Sequence, residues 1–436
     1  MKAFSNRRGV AAASTAAALA VAVAGYAGTS GVSSAAQSAT AASGGTLNIG
    51  VIYPFTGANA SQGAVGMAGC LVGVAPVNAA GGVLGKTFAC KSFDTKGDPA
   101  DAVPAANQMI ASASPVMVLG ASDDAVATAP IVTAAHIVNF ATIGDPHFDN
   151  QTNPFFYRLT PSDALQGKAL GYYAATHGLT HAAAVFTSDL GAQTSVPPLR
   201  AEYKKLGHKL VADLTLAPGA SSYRTEVEQV ISAHPDALIA EMDPQSEATF
   251  LSEYQQLSGH LPLIIGTERT ATSDVLTALR NALGVANVAK YLKTITPYVG
   301  LSGPGYQLYK KTLLGLSSKI PTASQYVGHP YTISDFDAIT ITALAMNEAH
   351  STVPSVYNKF VVKVTAPAKG ATVVHTYAQG LAAIKAHKTI QYVGASGPLV
   401  FDKYHSAGRS FSFDKYDAPT KSMVPVTVIP GTALNG

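Results

Sequence analysis

Two positions in this sequence lie where a strand-like run gives way to the next element, and both carry side chains able to hold a small molecule. Glu268 follows the apolar run 262–266. A carboxylate kept from water there and aimed at a cation gains about 1.5–3 kcal/mol per charged hydrogen bond. The alternatives are an ion pair with Arg269 or a solvated loop. Ser122 follows the run ending at Gly120 and opens a helix. Its hydroxyl, with the free amides of a helix N-terminus, makes either a carboxylate cradle or a simple cap. Asp123 and Asp124 oppose an anion at that point unless they face away as partners of the helix dipole.

No catalytic assembly accompanies them. GxSxG, HExxH, Walker A and GxGxxG patterns are all missing. His177 and His181 are separated by Gly178, which breaks any shared metal-binding face. Asp94, Asp98 and Asp101 lack the spacing of a calcium loop and read as caps or turn residues. The chain is therefore expected to bind rather than to catalyse, with no metal and no cofactor.

The elements that must position these residues follow from composition and pattern. The 436 residues suffice for two ordinary domains behind a leader, and 47% apolar with 13% charged residues permits a large core. A net charge of +3 without a basic block beyond the N-terminus argues against nucleic acid or an acidic membrane surface as partner. Lys2, Arg7 and Arg8 precede an alanine-rich apolar run from Val10 to Ala24, the layout of a signal peptide, with cleavage expected after Ala22-Val23-Ala24 or after Ser34-Ala35-Ala36. Residues 29–45 read as a flexible tether. The product is expected to be secreted or held in the cell envelope, with no lipid-anchor cysteine near the leader. The two cysteines, Cys70 and Cys90, either pair, tying the first helix to the second strand at a gain of about 3 kcal/mol, or remain buried thiols; the oxidising compartment favours the pair.

Strands are expected at 47–53, 87–93, 116–120, 137–143, 182–187, 209–216, 236–241 and 262–266. Helices alternate with them at 61–79, 101–112, 124–135, 163–177, 193–206, 222–233 and 246–258, and further helices lie near 303–317 and 335–349. Pro104 is placed in a first turn behind Asp101, Ser162 opens a helix, and Gly178 and Gly207 close two others. The unbroken apolar run Leu47, Ile49, Val51, Ile52 suits a parallel strand covered on both faces. This alternation predicts an α/β fold with two doubly wound parallel sheets. Segment 351–385 has no clear pattern.

The segments Ile49–Gly57, Val77–Gly85, Asp98–Val103, Arg158–Gly167 and Gly397–Asp402, in that order and spacing, make the sequence from about residue 46 onward resemble the type I periplasmic solute-binding proteins, in particular the branched-chain amino acid binding branch. The resemblance implies two lobes joined by three crossovers with one ligand between them: 46–161 plus 299–405, and 162–298 plus 406–436, hinged near Thr160, Pro297 and Ser406. It implies Ser122, Thr142 and Gly144 toward a ligand carboxylate and Glu268 toward its ammonium. Gln62, Leu190, Met242 and Asp243 occupy positions where the family often places aromatics, so a more basic, amide-bearing or polyol ligand stays open. Phe55, Tyr331 and Phe336 are candidate apolar walls or core residues. The implied role is capture of an amino acid or similar polar solute for an ABC permease. The competing role is a secreted ligand sensor that signals through a partner.

Overall fold

The computed structural model describes residues 44–434, less 58, 121–123 and 409; the expected leader and Ser122 lie outside them. The first sheet is built from β1 (Gly44–Tyr53), β2 (Lys86–Asp94), β3 (Met117–Gly120), β4 (Val138–Ala141) and β5 (Phe156–Arg158), all parallel in the order β2-β1-β3-β4-β5. Its crossovers are α1 (Ala60–Ala79), α2 (Pro99–Ala113) and α3 (Ala125–Ala134).

Helix α2 begins earlier than the sequence pattern suggests. Asp98, not Asp101, is the cap, accepting from the Ala100 amide at 2.7 Å, and Pro99 holds the first turn while Pro104 lies inside the helix. Asp101 instead pairs with Lys96 at 3.0 Å on the surface.

The second sheet follows α4 (Asp163–Thr176), which Ser162 caps. It contains β6 (Ala182–Thr187), β7 (Ala212–Leu216), β8 (Ala237–Glu241), β9 (Leu263–Gly266) and β10 (Leu292–Pro297). The intervening helices are α5 (Leu190–Thr194), α6 (Val196–Lys205), α7 (Arg224–Ser232), α8 (Pro244–Ser258), α9 (Ser273–Leu283) and α10 (Val285–Tyr291). Positive-φ glycines at 178 and 207 end α4 and α6.

The chain then returns to the first lobe through α11 (Gly303–Gly315) and α12 (Pro330–Glu348). The segment without a sequence pattern proves to be ordered elements: α13 (Pro354–Lys363), β11 (Thr372–Val374) and α14 (Tyr377–Lys385). With β12 (Ile390–Gly394) and β13 (Gly397–Pro398), β11 forms a small third sheet. Finally β14 (Phe411–Asp417) and β15 (Ser422–Ile429) extend the second sheet as an antiparallel hairpin beside β10, in the order β15-β14-β10-β9-β8-β6-β7. The second sheet is therefore mixed, with a parallel centre.

Three passages join the lobes. The first, after β5, and the last, before β14, lie against each other: the Arg158 amide donates to His405 O at 2.9 Å and the Ala407 amide to Arg158 O at 2.9 Å. The Arg158 guanidinium is buried there, paired with Asp149 at 2.7 Å and donating to Ser406 Oγ at 3.2 Å. The middle passage joins them where the Tyr298 amide donates to Ser410 O at 2.9 Å.

Helix α1 is long and apolar enough to cross a membrane, but much of it is covered inside the first lobe. It lies on α12, which is itself buried along most of its length. Close approach is made possible by small residues one turn apart. A Cβ at Gly66 would strike the Tyr53 ring at 2.6 Å, one at Gly69 would meet Asp335 Cβ at 2.5 Å, and one at Gly73 would meet Ile339 Cδ1 at 2.6 Å. A disulfide between Cys70 and Cys90 fixes the same helix to β2, as the cysteine pairing predicted.

Candidate functional site

Strands β8 and β9 run side by side in parallel, with Ala240 opposite Gly266. The residues that follow therefore emerge together at the carboxyl edge of the second sheet, where open α/β sheets place their ligands. They are Glu241 on one strand and Thr267-Glu268 on the other. The third acid at this edge, Asp163, arrives on the first residue of α4 and receives the Thr194 hydroxyl at 2.7 Å. One turn on, Gln166 donates its side-chain amide to Glu268 and, at 3.3 Å, to Ile295 O.

Burial is the main cause that raises all three carboxyls above their ordinary range. For Asp163 and Glu241 the next cause is the Glu268 charge; hydrogen bonds from Gln166 and Tyr331 and the Arg269 charge pull Glu268 back. Such mutually opposed acids want positive charge between them. Glu241 is 5% exposed, and among the described residues no hydrogen bond reaches its carboxylate.

The first lobe closes over this edge. Tyr331, in the first turn of α12, hydrogen-bonds Glu268. Asn59 accepts from Arg269 Nη2 at 3.2 Å, and the Ser61 hydroxyl donates to Asp274 Oδ2 at 3.0 Å. Gly144 accepts from the Asp163 amide at 2.7 Å, and a Cβ on Gly144 would overlap the Asp163 carboxylate. The two lobes are thus in contact around a half-buried acidic edge.

The residues singled out in the sequence divide into several groups. Glu268, Gly144 and Tyr331 come together at this edge. Gln62 follows Ser61 in the first turn of α1. Thr142 lies deeper: its hydroxyl is 3.2 Å from the Tyr53 hydroxyl, which also donates to Asp335 Oδ2 at 3.3 Å. Leu190 begins α5. Phe55 packs on the first-lobe core over Gly63, and Phe336 is buried edge-on to Tyr309 at 5.5 Å.

Two residues are corrected. Met242 is fully buried among the apolar side chains of the second lobe, so it packs rather than faces a ligand. Asp243 is the cap of α8, accepting from the Gln245 and Ser246 amides, each at 3.1 Å, and from the Ser246 hydroxyl. The acid that this loop gives to the edge is Glu241, which the sequence reading passed over together with Asp163 and Gln166. The available signal was a lone acid ending the otherwise apolar run Ala237–Glu241.

Among the described residues no group of histidine, cysteine and acids is disposed to hold a metal.

The comparisons with known proteins agree with this architecture. No curated protein matches the sequence. Solved structures with the same fold include a leucine binding protein from Thermotoga maritima, at 18% identity and TM-score 0.69, covering 89% of this chain and 99% of that one. A branched-chain amino acid transporter substrate binding protein from Streptococcus pneumoniae, in complex with isoleucine, gives 15% identity and TM-score 0.70 over 88% and 99%. A solute binding protein of an ABC transporter from R. palustris, in complex with benzoate, gives 17% and 0.69 over 88% and 97%. The model of the periplasmic binding protein family matches residues 46–411. With two α/β lobes, three passages between them and a family match across most of its length, this chain belongs to the periplasmic binding proteins.

Proposed function

We propose that the chain is the extracytoplasmic solute-binding component of an ABC importer. In this reading it captures an amino acid or similar small polar solute between lobes 46–161 plus 299–405 and 162–298 plus 406–436, hinged near Thr160, Pro297 and Ser406, and presents the closed form to a membrane permease. One observation carries the reading. Glu268 stands at the carboxyl edge of the second sheet and is contacted from both lobes, by Gln166 of α4 and Tyr331 of α12. A ligand that bonds to both lobes favours the closed state by the extra contacts made there. Glu268 supplies the ammonium partner; Thr142 and Gly144 of the first lobe, with Ser122, are assigned to the other end of the solute.

Titration calorimetry of wild-type protein and Glu268→Ala against the amino acids and benzoate tests the proposal. The expected result is one solute class with micromolar or tighter affinity, weakened at least tenfold in the variant, since a charged hydrogen bond is worth about 1.5–3 kcal/mol. Equal affinity in the two proteins removes Glu268 from the site.

A further inference from the structure

A single ammonium does not account for the acids at this edge. Asp163, Glu241 and Glu268 approach one another closely enough that the charge of Glu268 is felt by both of the others. They come from three separate elements, the start of α4, the end of β8 and the turn after β9. The partners they have are few. Asp163 takes one hydroxyl from Thr194, and Glu268 takes one amide from Gln166 and the phenol of Tyr331. Arg269 is the nearest cation, and its guanidinium also reaches across to Asn59. Farther out, Asp145 raises the Asp163 carboxyl and Arg158, paired with Asp149, lowers it, while Asp189 adds to the negative charge at Glu241. Glu241 is the informative residue, because it is only 5% exposed and, among the described residues, no hydrogen bond reaches its carboxylate, which has the Arg269 charge alone to oppose its acidic neighbours. Burial and its acidic neighbours hold this carboxyl toward the neutral form, and a cationic group brought between the acids by a ligand favours its ionisation and is bound by it.

Resting on the solute-binding reading above, we infer that the cleft takes a small organic solute with two cationic nitrogen centres, one held by Glu268 and the second by Glu241 and Asp163. Ammonium and guanidinium groups both satisfy this chemistry, so a diamine and a basic amino acid are the two sources. The same edge rejects a benzoate, whose carboxylate would face like charge, and it leaves the aliphatic end of leucine or isoleucine against unpaired acids. Specificity of this kind comes as much from repulsion of the wrong solute as from attraction of the right one.

The test is a titration panel on the wild-type protein with putrescine, agmatine, lysine, arginine, leucine and benzoate, followed by Glu241→Gln and Asp163→Asn on the tightest binder. The expected result is that at least one dicationic probe binds ten times more tightly than leucine or benzoate. Glu241→Gln should then weaken it at least tenfold while circular dichroism and the melting transition show a folded protein. Preference for putrescine or agmatine assigns an amine without a carboxylate; preference for lysine or arginine assigns the basic amino acid, and both support the inference. Tighter binding of leucine or benzoate, lost in Glu268→Ala and kept in Glu241→Gln, overturns the second cation and leaves the solute-binding reading intact. A panel in which no solute binds overturns both. Because the first arm needs no variant, a Glu241→Gln protein that failed to fold would still leave the inference testable.

Discussion

At the residue scale, the second lobe holds buried acids with quite different tasks, and pH separates them. Glu247 on α8 has no exposed surface; it receives the Thr270 hydroxyl at 3.3 Å on one oxygen and nothing on the other. Burial pushes its carboxyl up to about 8. Below the ordinary value of 4.5 it is protonated folded and unfolded alike, so its contribution to stability is intact there. Between that value and about 8 only the unfolded chain ionises, and stability falls as pH rises, by roughly 1.4 kcal/mol per unit of difference. Glu247→Gln keeps an acceptor for Thr270 and removes the titration. Its melting temperature should match the wild type near pH 4.5 and exceed it by several degrees at pH 8. An equal difference at both values would show that Glu247 is not held protonated. Near this residue lies the place where sequence reading failed. Asp243 and Glu241 are two positions apart around a strand end, and only Glu241 joins Asp163 and Glu268 at the sheet edge, while Asp243 caps α8. Alternation along β8 is hidden because all five of its residues are buried, so nothing in the pattern marks the side on which each acid emerges.

At the element scale, the legible parts were those with period and punctuation. The first four strands of the first sheet (β5, only three residues long, carries no strand signal of its own), the caps at Ser162, Gly178 and Gly207, and the pairing of Cys70 with Cys90 all follow from local rules. Segment 351–385 did not, because α13 buries only Tyr357 and Val361, β11 has three residues and α14 nine; each is too short to show a period. The start of α12 was missed for a different reason. Pro330 sits at its first turn, and the helix is buried nearly all round, which erases the apolar stripe that normally announces a helix. The seam between α1 and α12 makes a prediction of its own. At Gly73 any side chain meets Ile339 at its Cδ1 and Cβ, so Gly73→Val should force the helices apart and cost about 1–3 kcal/mol in urea unfolding. Gly300→Ala meets nothing within 4 Å and serves as the control. A Gly73→Val midpoint equal to that of the control would mean that the seam yields without strain.

At the scale of the whole molecule, closure is the quantity that matters to the proposed capture of a solute, and polar contacts between the lobes bear on it. Asn59 holds the position before α1 yet makes no side-chain cap; its oxygen is spent on Arg269 of the other lobe. Ser61, two residues on, is joined to Asp274 in the same way. These bonds are absent once the lobes separate, so they bias the equilibrium between open and closed forms without supporting either lobe alone. At about 0.5–1.5 kcal/mol each, removing both shifts that equilibrium by roughly tenfold. The double variant Asn59→Ala, Ser61→Ala should therefore bind the preferred solute roughly tenfold more weakly, with the melting temperature of the ligand-free protein little changed. Small-angle scattering should give the same closed radius at saturation and require more solute to reach it. If affinity is unchanged, closure owes nothing to these contacts. The ligand's own bonds to Glu268, and the Tyr331 contact that bridges the lobes there, then supply the whole of the driving force.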